Sequence, residues 1–186
     1  MRIISGTARG TKLYTLEGQN TRPTLDRVKE SLFNIIQNDI QNSVFLDLFS
    51  GSGAIGLEAA SRGAKKVILC DKSKDAIKII NKNIEKTHLK EKVELYNLDY
   101  EILLKTKINN EKIDIIYIDP PYDSDFAMKS IEYVIKQKIA DEDTIIIIET
   151  DKEEKILEEL KEKEVEIQNK RKYGRAMLIF LKIRKG

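Results

Sequence analysis

The amino-acid sequence predicts an α/β fold, a doubly wound and mostly parallel Rossmann-like sheet over residues 41–186, preceded by a small hairpin-and-helix extension over residues 1–40. Three observations predict it. From residue 44 onward, short apolar runs alternate with stretches of helical period, the order that builds parallel βαβ units. The run Ile145-Ile146-Ile147-Ile148 shows no polar alternation, as expected of a strand covered on both faces. Finally, Asp47, Asp71, Asp99 and Asp119 each close or follow a strand-like run, and an open parallel sheet places its ligands at such ends.

Taken in order, residues 2–4 and 11–14 are short extended runs around Gly6 and Gly10 and read as a hairpin. Pro23 and Thr24 open a helix whose apolar positions Leu25, Val28, Leu32, Ile35 and Ile36 follow a 3.6-residue period. Thr24 suits its cap and Asp26 the positive end of its dipole. Strands are then expected at 44–48, 66–70, 92–96, 113–118 and 143–149, with helices near 53–62, 73–86, 125–137 and 152–162. The last apolar runs, 164–168 and 176–183, are joined by residues 169–175, a link that allows an antiparallel hairpin but no crossover helix.

With 186 residues the chain can bury one core with a small appendage. The single cysteine, Cys70, lies in a strand pattern and reads as a small buried apolar residue. The single histidine, His88, has no cysteine or histidine cluster around it, so no metal site is expected. No apolar run reaches membrane-spanning length and no signal segment opens the chain, which implies a cytoplasmic protein without a membrane partner. Charge is uneven. Residues 1–43 carry six Lys/Arg against four Asp/Glu, residues 161–186 nine against three, and the stretch between eighteen against twenty-four. Basic ends around an acidic middle are the footprint a nucleic-acid enzyme needs, and equally an ordinary solvated surface.

Two motifs carry the chemistry. Asp47-Leu48-Phe49-Ser50-Gly51-Ser52-Gly53-Ala54-Ile55-Gly56 joins a strand-like run to a helix-like one, and its glycines permit a tight turn with close approach of backbone to ligand. Such a loop commonly holds a pyrophosphate. Here Asp47 would repel a pyrophosphate but suits the ammonium of an amino acid, while Asp71, twenty residues after Gly51, is placed to accept ribose hydroxyls. Asp99 is placed for an adenine amino group. Amino acid, ribose and adenine together describe S-adenosylmethionine, with Asp47, Phe49, Gly51, Ser52, Gly53, Asp71, Asp99 and Asp119 as candidate cofactor-binding residues. The second motif is Asp119-Pro120-Pro121-Tyr122. Two prolines stop the strand and hold the Asp119 carboxylate and nearby carbonyls rigidly beside an aromatic ring. Such acceptors suit a planar group bearing an NH₂: Asp119 and the Pro120 carbonyl grip the amine, Pro121 stiffens the turn, and Tyr122 stacks on the base.

Further blocks give the chain a specific resemblance. Arg2-Ile3-Ile4-Ser5-Gly6, Arg9-Gly10 with Lys12-Leu13, Thr21-Arg22-Pro23-Thr24, Asp26-Arg27-Val28-Lys29-Glu30-Ser31-Leu32-Phe33-Asn34 and Lys172-Tyr173-Gly174 resemble the 16S ribosomal RNA guanine-N2 methyltransferases, the RsmD family, over nearly the whole length. Lys29 stands where arginine is common and Ser50 where alanine is; a lysine would weaken any bidentate phosphate contact there. The resemblance implies a seven-stranded sheet with a reversed last strand, and a target guanine in a hairpin loop of 16S rRNA or the small ribosomal subunit. A monomer is expected. Arg9, Lys12, Arg22 and Arg27 are candidates for the RNA backbone, with Tyr122 on the base.

Three other readings use parts of this pattern. A DNA adenine-N6 methyltransferase shares the Asp-Pro-Pro-Tyr chemistry but usually needs a target-recognition domain for which this chain has little room. A nicotinamide dehydrogenase would use the glycine loop and leave residues 119–122 without a job. A silent RNA-binding or ribosome-assembly module needs the basic ends and neither motif.

Overall fold

The computed structural model describes residues 1–16, 23–108, 111–122 and 124–185, with 23 and 24 by backbone alone. A helix, α1 (Pro23–Ile35), precedes the alternating elements β1 (Val44–Asp47), α2 (Ala54–Ser61), β2 (Lys66–Cys70), α3 (Lys74–Thr87), β3 (Val93–Tyr96), α4 (Tyr100–Thr106), β4 (Ile115–Ile118), α5 (Phe126–Lys136), β5 (Ile145–Thr150), α6 (Glu153–Leu160), β6 (Val165–Tyr173) and β7 (Ala176–Ile183). The seven strands form one sheet in the order β3-β2-β1-β4-β5-β7-β6. β1 to β5 pair in parallel, and β7 runs antiparallel to both β5 and β6.

Strand residues alternate between two cores. Phe45, Val67, Leu69, Ile115, Tyr117 and Ile147 pack with α1, α2 and α3 on one face. Leu46, Ile68, Ile116, Ile118, Ile146 and Ile148 pack with α4, α5 and α6 on the other. The central strands β1 and β4 are buried on both faces, which is why their sequences are unbroken apolar runs. Among the described residues no helix is long and apolar enough to cross a membrane.

Two glycines set close approaches. A Cβ on Gly56 would lie 2.2 Å from Leu69 Cδ2 and 2.9 Å from Val67 Cγ1, so α2 rests directly on β2 only because residue 56 has no side chain. A Cβ on Gly6 would lie 1.8 Å from the Ser61 carbonyl oxygen. Around that contact the N-terminal segment wraps the end of α2: Thr7 N–H donates to the Ser61 carbonyl (2.9 Å), Ala8 N–H to Ser61 Oγ (2.9 Å), and Ser61 Oγ to the Ser5 carbonyl (2.6 Å).

The N-terminal hairpin is present and short: the antiparallel bridge of Arg2 with Lys12 is flanked by hydrogen bonds from Ile3 N–H to the Thr11 carbonyl (3.0 Å), Gly10 N–H to the Ile3 carbonyl (2.8 Å) and Leu13 N–H to the Met1 carbonyl (3.0 Å), while Ile4 and Ser5 give their N–H groups to the Glu58 carboxylate. Two expectations change. A helix absent from the sequence reading, α4, starts at Asp99, whose Oδ1 accepts the Glu101 N–H at 2.9 Å. Lys29 is no phosphate contact. It is 2 % exposed, donates to the Arg2 carbonyl and pairs with Glu58 at 3.3 Å. Thr24 as a cap and Arg22 lie outside the described side chains.

Candidate functional site

The glycine loop leaves β1 at its C-terminal end, and Ser50 fastens it to β2 through both backbone and side chain. Ser50 N–H donates to the Cys70 carbonyl (2.9 Å), Ser50 Oγ accepts the Cys70 N–H (3.0 Å), and the same hydroxyl donates to the Asp47 carbonyl (3.1 Å). Gly51 and Gly53 both take positive φ, 56° and 79°, the conformations that favour glycine. Nothing approaches within 4 Å of the position a Gly51 Cβ would take, so the loop has an open side.

Asp71 grips this loop. Its Oδ2 accepts the Gly51 N–H at 2.9 Å and its Oδ1 the Ser73 N–H at 2.8 Å. A dinucleotide fold offers the loop N–H groups to a pyrophosphate; here the Gly51 donor is taken by a carboxylate. Asp47 is 1 % exposed, and its Oδ1 accepts only a long 3.3 Å bond from the Phe49 N–H, with the Ser50 hydroxyl beside it. Burial first, then the negative charges of Asp71 and Glu149, raise its pKa to about 7 against the lowering effect of those hydrogen bonds. A cationic ligand group would relieve that strain and an anionic one would deepen it. The loop therefore fits an amino-acid ammonium with a ribose better than a pyrophosphate. Asp99, half-buried, spends one oxygen on the cap of α4. Beside it Phe49 forms an aromatic wall with Tyr100 (5.1 Å between centroids) and Phe126 (6.2 Å, parallel).

The state of Asp47 has a measurable consequence. A carboxyl whose folded pKa is raised from 3.8 to about 7 favours the fold fully below about pH 4, and that advantage is lost as pH rises to about 7. Above that, the ionised group costs the folded chain up to roughly 4 kcal/mol. Asp47→Asn is expected to unfold at a higher temperature than the parent chain at pH 8, with the difference vanishing near pH 4. Thermal unfolding at the two pH values checks this, and an equal difference at both would remove desolvation of Asp47 as the cause.

Asp119 follows β4, the neighbour of β1, so the second motif sits one strand from the glycine loop. Its carboxylate accepts no hydrogen bond among the described residues and is exposed on one side, with protein packed round the others. Exclusion of water, then Glu149, then Asp47 push its pKa well above the usual carboxylate range; water on the open side screens both neighbours without reversing the direction. Pro120 is half-buried beside it, Pro121 is exposed, and its carbonyl accepts the Ser124 hydroxyl at 2.7 Å. Tyr122 is 83 % exposed at the rim.

Glu149 and Tyr117, which no local pattern in the sequence marks, complete the site. Tyr117 is 1 % exposed and its hydroxyl donates to Glu149 at the end of β5. Only the β4–β5 register brings Glu149 to Asp119, whereas Tyr117 lies in β4 two residues before Asp119, on the same face. The fold thus gathers Asp47, Asp71, Asp119, Pro120 and Glu149 along the C-terminal edge of β1, β2, β4 and β5, and no group of three His, Cys, Asp or Glu among the described residues is arranged to hold a metal. Arg9, Lys12 and Arg27 lie elsewhere, exposed on the N-terminal segment and α1; Arg2 and Arg9 line a hollow of about 290 Å³ with Asp26 and Glu30.

Residues 1–182 match the model of a family described as "Conserved hypothetical protein 95". Ribosomal RNA small subunit methyltransferase D of Haemophilus influenzae is 35 % identical over 84 % of this chain and 82 % of its own length. Its namesake in Escherichia coli strain K12 is 31 % identical over 82 % and 76 %. Among solved structures, a Haemophilus influenzae protein provisionally described as a methylase superposes with a TM-score of 0.77 at 29 % identity, covering 100 % of this chain and 99 % of that one.

Proposed function

The chain belongs to the conserved hypothetical protein 95 family, the RsmD family of methyltransferases, and from that premise we propose that it methylates the exocyclic N2 amine of a guanine in 16S ribosomal RNA. S-adenosylmethionine is the proposed donor. Residues 41–186 form the catalytic domain in this reading and residues 1–40 an extension that meets RNA. One observation carries the proposal: a carboxylate without a hydrogen-bond partner among the described residues, followed by two prolines, stands one strand away from a glycine loop whose own backbone donor is already taken by an acid.

Asp47 holds the cofactor's ammonium, Asp71 turns toward its ribose beside Gly51, Ser52 and Gly53, and Phe49 with Asp99 borders its adenine. When bound, that cofactor supplies an electrophilic methyl on a sulfonium. The protein's task is then to make a poor nucleophile attack. An exocyclic amine is poor because its lone pair is delocalised into the ring. The Asp119 carboxylate and the Pro120 carbonyl accept its two N–H groups, draw the nitrogen toward tetrahedral geometry and free the lone pair. Asp119 also stabilises the positive charge that develops on nitrogen, and the proton that the methylated amine must shed leaves to that carboxylate or to water. Tyr122, exposed at the rim, stacks on the base, a contact of about 1 to 3 kcal/mol in single-strand recognition. A looped-out guanine reaches this site at less cost than a paired one.

The test is methylation of protein-free 16S rRNA, assembled small subunits and DNA with methyl-labelled S-adenosylmethionine, followed by mass spectrometry of the nucleosides. A single N2-methylguanine in the RNA or the subunits is expected; methyladenine in DNA, or no transfer, overturns the reading.

Arg9, Lys12 and Arg27 are exposed, and Arg9 and Arg27 form no ion pair among the described residues, which suits phosphate contacts by them and by Arg22. Lys29 ties α1 to α2 through Glu58. The double variant Arg9→Ala/Lys12→Ala is expected to bind all RNA sequences more weakly and to flatten the salt dependence by up to about 0.7 per lost contact. Affinity titrations across salt concentrations decide it, and an unchanged slope in the folded variant would remove the extension from the RNA path.

A further inference from the structure

The register of β4 and β5 places a second acceptor on the substrate side of Asp119. Ile118 pairs with Ile148, so Asp119 and Glu149 follow side by side at the next position. Neighbouring strands are about 4.8 Å apart. Both residues share the parity of Ile115, Tyr117, Ile145 and Ile147, the face of the first core. The glycine loop and Asp71 belong to β1 and β2 on one side of β4, so β5 flanks Asp119 on the other. Glu149 is held, not adrift: the buried Tyr117 hydroxyl donates to its Oε2, while its Oε1 accepts no hydrogen bond among the described residues. A half-buried carboxylate with one fastened oxygen and one open one is built to receive a donor from a ligand.

Guanine offers that donor. Its N1–H lies next to the N2 amine on the same ring edge, whereas adenine and 2-aminopurine carry an acceptor at N1. Two carboxylates on adjacent strands match two neighbouring donors, and an acceptor at N1 would instead face the lone pairs of Glu149. Resting on the proposed guanine-N2 reaction, we infer that Glu149 is the guanine-selecting residue, accepting N1–H while Asp119 and the Pro120 carbonyl hold the amine, and that Tyr117 positions it. Burial raises the Glu149 pKa against the lowering effect of the Tyr117 hydroxyl, so the site favours a ligand that brings a hydrogen-bond donor.

The experiment compares kcat/KM for an RNA carrying the mapped target guanine with the same RNA carrying 2-aminopurine there. That base keeps the 2-amine and lacks N1–H. The parent enzyme is expected to prefer guanine by about 10²-fold or more, since a site that pairs with a donor rejects the analogue lacking it. In Glu149→Gln the side-chain amide can donate to N1 of 2-aminopurine, and the preference is expected to collapse at least about tenfold, which is ~1.4 kcal/mol. Tyr117→Phe keeps the ring and removes the donor that fixes Glu149; a several-fold loss of the same ratio is expected, with affinity for S-adenosylmethionine unchanged. This second variant decides the matter if Glu149→Gln does not fold. Ratios unchanged in the folded variants overturn the assignment of Glu149 while the guanine-N2 reaction stands. A parent enzyme that leaves the guanine RNA unmethylated overturns the reaction itself, and the assignment with it.

Discussion

Asp119→Ala is expected to slow methyl transfer at least about 10²-fold in single turnover, the scale for removing one preorganised electrostatic partner of a transition state. Affinity for S-adenosylmethionine is expected to stay within a few-fold of the parent, because the glycine loop is organised by Ser50 and Asp71, none of whose hydrogen bonds involves residue 119. The split follows from charge. Asp119 meets an amine that is neutral in the ground state and positive after attack, so its contribution grows along the reaction. Asp119→Asn keeps one acceptor oxygen without the charge and should fall between the two. The raised pKa of Asp119, which arises from exclusion of water and from Glu149 and Asp47, adds a pH dependence: transfer should weaken as pH falls, because a protonated Asp119 offers no negative charge to the nitrogen that becomes positive. Single-turnover methylation together with calorimetric cofactor binding checks the split. Transfer by the alanine variant within about tenfold of the parent, ~1.4 kcal/mol of barrier, would leave Asp119 without the proposed role.

What could be read in one dimension was whatever local physics dictates. Runs such as Ile145 to Ile148 announce a strand covered on both faces, and Asp47, Asp71 and Asp119 stand out because each closes or follows such a run, where a parallel sheet opens. The family-specific blocks supplied the reversed last strand. Features that depend on pairing across the chain were hidden. Glu149 becomes a neighbour of Asp119, and a partner of the Tyr117 hydroxyl, only through the β4–β5 register. α4 is seven residues long, too short for its period to rise above the noise, and its capping acid reads equally well as a ligand residue. Lys29 and Glu58 show the same blindness to burial: charged residues in an amphipathic pattern look like solvated faces, yet here they are 2 % and 0 % exposed.

That buried pair supports the largest expected change in stability. Glu58 on α2 receives the Ile4 N–H (2.8 Å) and Ser5 N–H (3.0 Å), the Arg62 Nε–H (2.8 Å) and the Lys29 ammonium (3.3 Å). It joins the N-terminal segment, α1 and α2 at one point. Burial lowers the Lys29 pKa and Glu58 opposes that, so the carboxylate is what lets a cation sit there. Glu58→Ala would strand the ammonium and two backbone donors in a dry site, at an expected cost of about 3 to 5 kcal/mol. Removing both charges differs in kind: Lys29→Met with Glu58→Ala leaves no buried cation, and a double-mutant cycle should return at least about 1 kcal/mol of coupling. The pair need not stabilise the fold relative to apolar residues of similar volume; the asymmetry between breaking it and deleting it is the diagnostic. Function should follow the same hinge of contacts, since Arg9 and Lys12 are carried by the segment that Glu58 fastens. Denaturant unfolding of the three variants, with hydrogen exchange at Ile4 and Ser5, measures this. A loss below about 1 kcal/mol in Glu58→Ala, with slow exchange retained at both amides, would show that the N-terminal segment is held by Ser61 and the apolar contacts of Ile3, Ala8 and Leu13 instead.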